Sequence, residues 1–195
     1  MVKRTTEIKE NITADDVTMK VKELSSPMLQ SEYLENILKR IVIQPDVKIL
    51  ASKMLSDLYV NRGLWSIAAK TLENAADAAQ TFADKKNLYM SVGVLYIKSM
   101  DYLLADDAFR KALEATTPGE KARLSADIKN LFMNEADQLN KDKKIAKAAK
   151  LYERILKTAS DINEKKKVMS ALVVLYEKLA RISDSMQMKE SLSRL

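Results

Sequence analysis

The residues around Ala105 recur three more times along the chain. Tyr89, Val92, Gly93, Tyr96 and Tyr102 precede Ala105, and Phe109 and Ala112 follow it. At the same offsets from Ala68 stand Ser52, Leu55, Ser56, Tyr59, Trp65, Leu72 and Ala75. Around Ala148 they are Phe132, Glu135, Ala136, Leu139, Ile145, Tyr152 and Ile155, and around Ser185 they are Met169, Leu172, Val173, Tyr176, Ile182, Lys189 and Leu192. The four small markers lie 37, 43 and 37 residues apart. Self-similarity at such a period marks a repeat architecture, in which each unit buries its apolar face against its neighbours.

The repeating unit is helical. Only three glycines and three prolines occur in 195 residues, too few turn formers for a sandwich or a doubly wound sheet. Alanine, leucine, lysine and glutamate, all good helix formers, are abundant. The breakers fall where helix ends are wanted: Ser25 to Pro27, Gln44 to Asp46, Asn61 to Gly63 and Thr116 to Gly119. Between them apolar residues recur at three and four, as in Leu34, Leu38 and Ile41, or Leu72, Ala75 and Ala76. The pattern predicts ten helices, at 14–25, 31–43, 46–61, 64–81, 85–98, 101–116, 119–140, 144–159, 163–181 and 184–193. Their short connections make successive helices antiparallel neighbours. Residues 1–12 are polar and charged, and a flexible N-terminus is expected there.

The alternation of large, large-small, aromatic, aromatic, small, aromatic and small residues resembles the tetratricopeptide repeat (TPR) family. Residues 87–118 match every position of that pattern and end in Pro118, and residues 50–80 match most. The third unit departs at Glu135 and the fourth at Lys189; residues 14–43 fit through Val21, Leu34, Leu38 and Ile41. The wide spacing is similar to that of related solenoids with longer helices. The resemblance implies an all-α, TPR-like solenoid: antiparallel helix pairs in a right-handed superhelical stack. It implies one domain over 13–195, with units at about 14–43, 50–80, 87–118, 130–160 and 167–193. In such pairs the two helices cross closely, so Gly93 is expected to let the backbones approach. Asp101 is expected to cap the helix that follows the turn, and Tyr102 to fill the angle.

Little in the chain carries chemistry. Without cysteine or histidine, thiolate zinc sites, disulfides and imidazole general bases are excluded. No glycine-rich phosphate loop is present. The acid pairs Asp15/Asp16 and Asp106/Asp107 read as helix first-turn and solvated-face residues. No enzyme activity, cofactor or metal is expected. The longest uninterrupted apolar run, Ala171 to Tyr176, is far short of a membrane span, and the N-terminus has no secretory core. A cytoplasmic location is expected.

Binding is the remaining class of function. The resemblance places a concave groove along the first helix of each pair, and implies a protein or peptide partner held there by a scaffold or adaptor. The groove positions singled out are Lys53, Asp57, Met90, Val94, Ile97, Met133, Asp137 and Val174. The TPR subclass that clamps a terminal carboxylate would need asparagine where Asp57 stands, so that mode is not expected. The apolar groove residues suit a partner's amphipathic helix or extended segment, unless a helix of the same chain covers them. Homodimerisation through this strip or the last helix is a further option. The second signal is charge. From Lys141 to Lys167 there are ten basic and four acidic residues, a local net of +6. Lys143, Lys147, Lys150, Arg154 and Lys157 recur at steps of 4, 3, 4 and 3. That stripe suits a solvated face, or an anionic partner such as nucleic acid, an acidic protein or membrane headgroups.

Overall fold

A computed structural model of the chain describes residues 11–40 and 42–195. Residues 1–10 of the expected flexible N-terminus, and Ile41 of the first apolar stripe, lie outside the described residues. Ile12, at the end of that segment, is buried with Val17, Val21 and Leu24.

The described residues form ten α-helices and no strand. They are α1 (Ala14–Glu23), α2 (Pro27–Leu38), α3 (Pro45–Asn61), α4 (Trp65–Ala78), α5 (Phe82–Ser99), α6 (Tyr102–Glu114), α7 (Pro118–Lys141), α8 (Ile145–Thr158), α9 (Ile162–Lys178) and α10 (Ile182–Ser193). The breaker residues are mostly starts. Thr13 and Asp16 form a reciprocal capping box on α1, satisfying two otherwise orphaned donors. Ser26 accepts from the Leu29 amide and Pro27 opens α2, so this helix begins four residues before the expected 31 and ends at Leu38. Proline is tolerated there because a helix's first amide has no partner to lose.

Four turns share one geometry. Gly63, Met100, Lys143 and Ala180 all adopt left-handed φ, at 71°, 67°, 59° and 55°. These positions carry the same 37, 43 and 37 spacing as the sequence markers. After each turn an amide, of Leu64, Asp101, Lys144 or Arg181, donates to the carbonyl of Tyr59, Tyr96, Leu139 or Tyr176, each at 2.9 Å. This closes the preceding helix and satisfies one of its last carbonyls. The residue that starts the next helix makes no side-chain cap in any of the four. Asp101, expected to be a cap, instead accepts from the Ser99 hydroxyl at 2.7 Å.

The helices fall into two compact units, one running to Lys121 and the other Ala122–Leu195, with the division inside α7. The sequence reading treats 13–195 as one domain. In the first unit α3 packs on α4, α4 on α5 and α5 on α6, while in the second α8 packs on α9 and α9 on α10. Rows of fully buried alanine, Ala68, Ala75 and Ala76 on α4 and Ala105, Ala108 and Ala112 on α6, keep those helices close to their neighbours. A Cβ on Gly93 would come within 3.0 Å of the Phe109 ring. Gly93 therefore makes room for a ring on α6, rather than for the backbone contact expected from the sequence.

Tyrosine hydroxyls tie consecutive pairs. Tyr59 donates to Glu35 at 2.7 Å, Tyr96 to Glu73 at 3.3 Å and Tyr176 to Glu153 at 2.9 Å. Each links the first helix of a pair to the last helix before it. Leu139 holds this register position in the third repeat, and no such bond can form there. No helix among the described residues is long and apolar enough to cross a membrane.

Candidate functional site

In the first unit a cleft of about 480 Å³ is lined by Lys53, Ser56, Asp57 and Val60 of α3, Leu72 of α4, and Leu88, Ser91, Val94 and Leu95 of α5. Helical spacing explains the α3 contribution. Ala51, Ser52, Leu55 and Ser56 are buried, which leaves Lys53, Asp57 and Val60 along the adjacent face at steps of four and three. Ser56 is already committed, donating to the Ala68 carbonyl at 3.0 Å. The floor is therefore apolar, from Leu72, Leu88, Val94 and Leu95. Lys53 and Asp57 are exposed on the rim, and neither has an ion-pair partner among the described residues.

Of the groove residues singled out from the sequence, Lys53, Asp57 and Val94 meet at this cleft. Met90 is half-buried on α5 and does not line it. Ile97 is 3% exposed and belongs to the core, so it offers no binding surface. In the second unit Met133 is half-buried and Val174 is 47% exposed. Asp137 accepts a hydrogen bond from the Tyr152 hydroxyl, which gives it a structural task between α7 and α8. Leu88, Ser91 and Leu95 were missed. They form a row at steps of three and four, and Ser91 and Leu95 each follow a residue singled out from the sequence, Met90 and Val94, by one position.

A polar cluster joins α4, α5 and α6. Lys111 pairs with Glu73 at 2.8 Å and Asp107 at 3.2 Å, and its ammonium sits 5.3 Å from the centroid of the Tyr89 ring. Tyr89 donates to Asp77. Burial, reinforced by the adjacent carboxylates, pushes both the Tyr89 and the Tyr96 hydroxyls up to about 12. Hydrogen bonds from Arg110 and Lys111 hold the Asp107 carboxyl below its usual range. Such groups stay in one charge state at neutral pH, so they hold helices together rather than shuttle protons. Among the described residues, no cluster of three or more carboxylates could hold a metal ion.

The basic stripe is split by the fold. Lys147, Lys150 and Lys157 are exposed on α8. Lys143 is not on the helix at all; it occupies the left-handed turn before it. Arg154 is half-buried, with its guanidinium 5.6 Å from the centroid of the Phe132 ring.

Compared with known proteins, the chain matches no family model and no curated protein sequence.

Proposed function

We propose that the chain is a TPR-like array of antiparallel helix pairs that works as a non-enzymatic binding module. Its partner is a protein segment seated in the cleft of α3, α4 and α5. The four matching left-handed turns support the repeat reading, because they return at the spacing of the sequence pattern. The observation that carries the binding reading is the cleft itself: an apolar floor beside two opposite, unpaired charges, Lys53 and Asp57. That combination suits a segment with one large apolar side chain in the cleft, flanked by an acid for Lys53 and a base for Asp57. Its charges would supply orientation, and the buried apolar side chain most of the affinity.

Selection of a displayed random peptide library tests this. Wild-type protein should enrich peptides with an apolar residue between an acid and a base. Exchanging the rim charges, as Lys53→Asp with Asp57→Lys, should reverse the preferred charge order. An absence of enrichment, or identical motifs from both proteins, would remove the cleft as the binding face.

A further inference from the structure

The acidic residues that dilute the charge of 141–167 are all engaged. Asp142 pairs with Lys144 at 3.2 Å. Glu153 pairs with Arg181 at 3.0 Å and accepts from Tyr176. Asp161 caps α9 by accepting from the Glu164 amide at 2.8 Å, and Glu164 pairs with Lys129 at 3.4 Å. By contrast Lys143, Lys147, Lys150 and Lys157 are exposed, and none has a carboxylate partner within 4.0 Å among the described residues. Lys147, Lys150 and Lys157 share the side of α8 away from the buried Ala148, Ala149, Leu151, Tyr152 and Ile155. They extend over about 15 Å at the rise of an α-helix. Lys166 and Lys167, also exposed and unpaired, add charge on α9, which packs on α8.

We propose that this lysine row binds the phosphate backbone of duplex nucleic acid, without reading its bases. From Lys143 to Thr158 no large apolar or aromatic side chain is exposed. That removes the stacking platform that single strands require and the apolar residues that insert a helix into a bilayer interface. A flexible acidic peptide would lose entropy on ordering, with no exposed large apolar anchor along α8 to offset it. A duplex is already rigid and carries one negative charge per roughly 1.7 Å of axis. A straight row of cations on long side chains matches it through charge alone. This face lies in the second unit and is independent of the cleft in the first.

The test is fluorescence anisotropy of the full chain with labelled mixed-sequence DNA and RNA duplexes, between 50 and 200 mM salt. Four phosphate contacts give a slope of log affinity against log salt of about −3.6, so affinity falls about 150-fold over that range. The triple variant Lys147→Gln, Lys150→Gln, Lys157→Gln removes three of these contacts, and the slope should become shallower by about 2.7. The corresponding Lys→Arg variant should keep the wild-type slope. If the triple variant does not fold, Lys150→Gln alone should lower the slope by about 0.9. Absence of duplex binding at 50 mM salt, or a slope unchanged by the glutamine substitutions, would overturn the proposal. So would tighter binding to polyglutamate or to phosphatidylserine vesicles than to either duplex.

Discussion

The same substitution, glycine to alanine, should have opposite signs at Gly93 and Gly119. In the middle of α5, replacing glycine by alanine should favour the helix by about 1 kcal/mol. The added Cβ, however, would lie within 3.0 Å of three ring atoms of Phe109. That ring is 2% exposed, so it cannot swing out to solvent. Overpacking of this kind costs about 1–3 kcal/mol, and Gly93→Ala should be net destabilising by up to about 2 kcal/mol. Gly93→Leu should sit at the upper end of that cost or beyond. Gly119 is the control, since a Cβ there meets nothing within 4 Å and the residue lies in the first turn of α7. Gly119→Ala should stabilise by about 0.4–1 kcal/mol. For a chain of this size each 1 kcal/mol moves Tm by about 2–4 °C, so thermal and urea melts resolve the difference. Phe109→Leu, destabilising alone, should be less costly in the Gly93→Ala background, with a coupling of about 0.5–3 kcal/mol. A Gly93→Ala protein as stable as Gly119→Ala would refute the argument.

The four turns predict that Ala180→Gly, at φ 55°, raises stability by about 0.5–1 kcal/mol while Gly63→Ala lowers it by a similar amount; equal melts for both would break the shared geometry. Tyr59, Tyr89, Tyr96 and Tyr176 are raised from 10.0 to about 12. The unfolded chain then loses these protons first as pH rises, so their contribution is complete below pH 10 and is lost between about pH 10 and 12. Tm should fall through that window, and ultraviolet titration should show native tyrosines ionising later than denatured ones. Val94→Asp, at the cleft, should stay folded within about 1 kcal/mol of wild type. Ile97→Asp, one turn on but 3% exposed, should lose several kcal/mol by burying an unpaired charge. Similar melts for the two would contradict the placement of the cleft on α5.

Much of the helical layout was legible because the repeat pattern is dense. Where one unit reads ambiguously, the same offset in another resolves it. Thus the aromatic at Tyr96 and the small residue at Ala105 predict the turn at Met100, although methionine gives no local signal for a left-handed φ. The boundary of α2 was not legible from the breaker alone. Ser26-Pro27 looks like an interruption, yet serine and proline both suit a helix start, and the apolar spacing does not say which. The departures at Lys189 and Glu135 were visible as mismatches without their reasons. Lys189 is exposed and pairs with Glu177 at 2.7 Å, so the position needs no apolar side chain.

The cleft was legible only in part. Lys53 and Asp57 follow from helix register, whereas Leu88, Ser91 and Leu95 depend on how α5 is rotated against α3. Tertiary contacts fix that rotation, and the period of the sequence leaves it open by one residue. Asp137 and Arg154 have partners that the sequence does not show, for a related reason. Each looks like a surface charge, but Asp137 meets Tyr152 and Arg154 meets Phe132, partners 15 and 22 residues away in sequence.

The most direct test of the account is an amide chemical-shift map of the full chain, titrated with a peptide selected on the wild-type protein. Binding in the cleft predicts the largest perturbations at Lys53, Asp57, Val60, Ser91, Val94 and Leu95, with the same peptide binding more weakly to the Lys53→Asp, Asp57→Lys protein. Perturbations centred on α8, or scattered with none on α3 and α5, would contradict it.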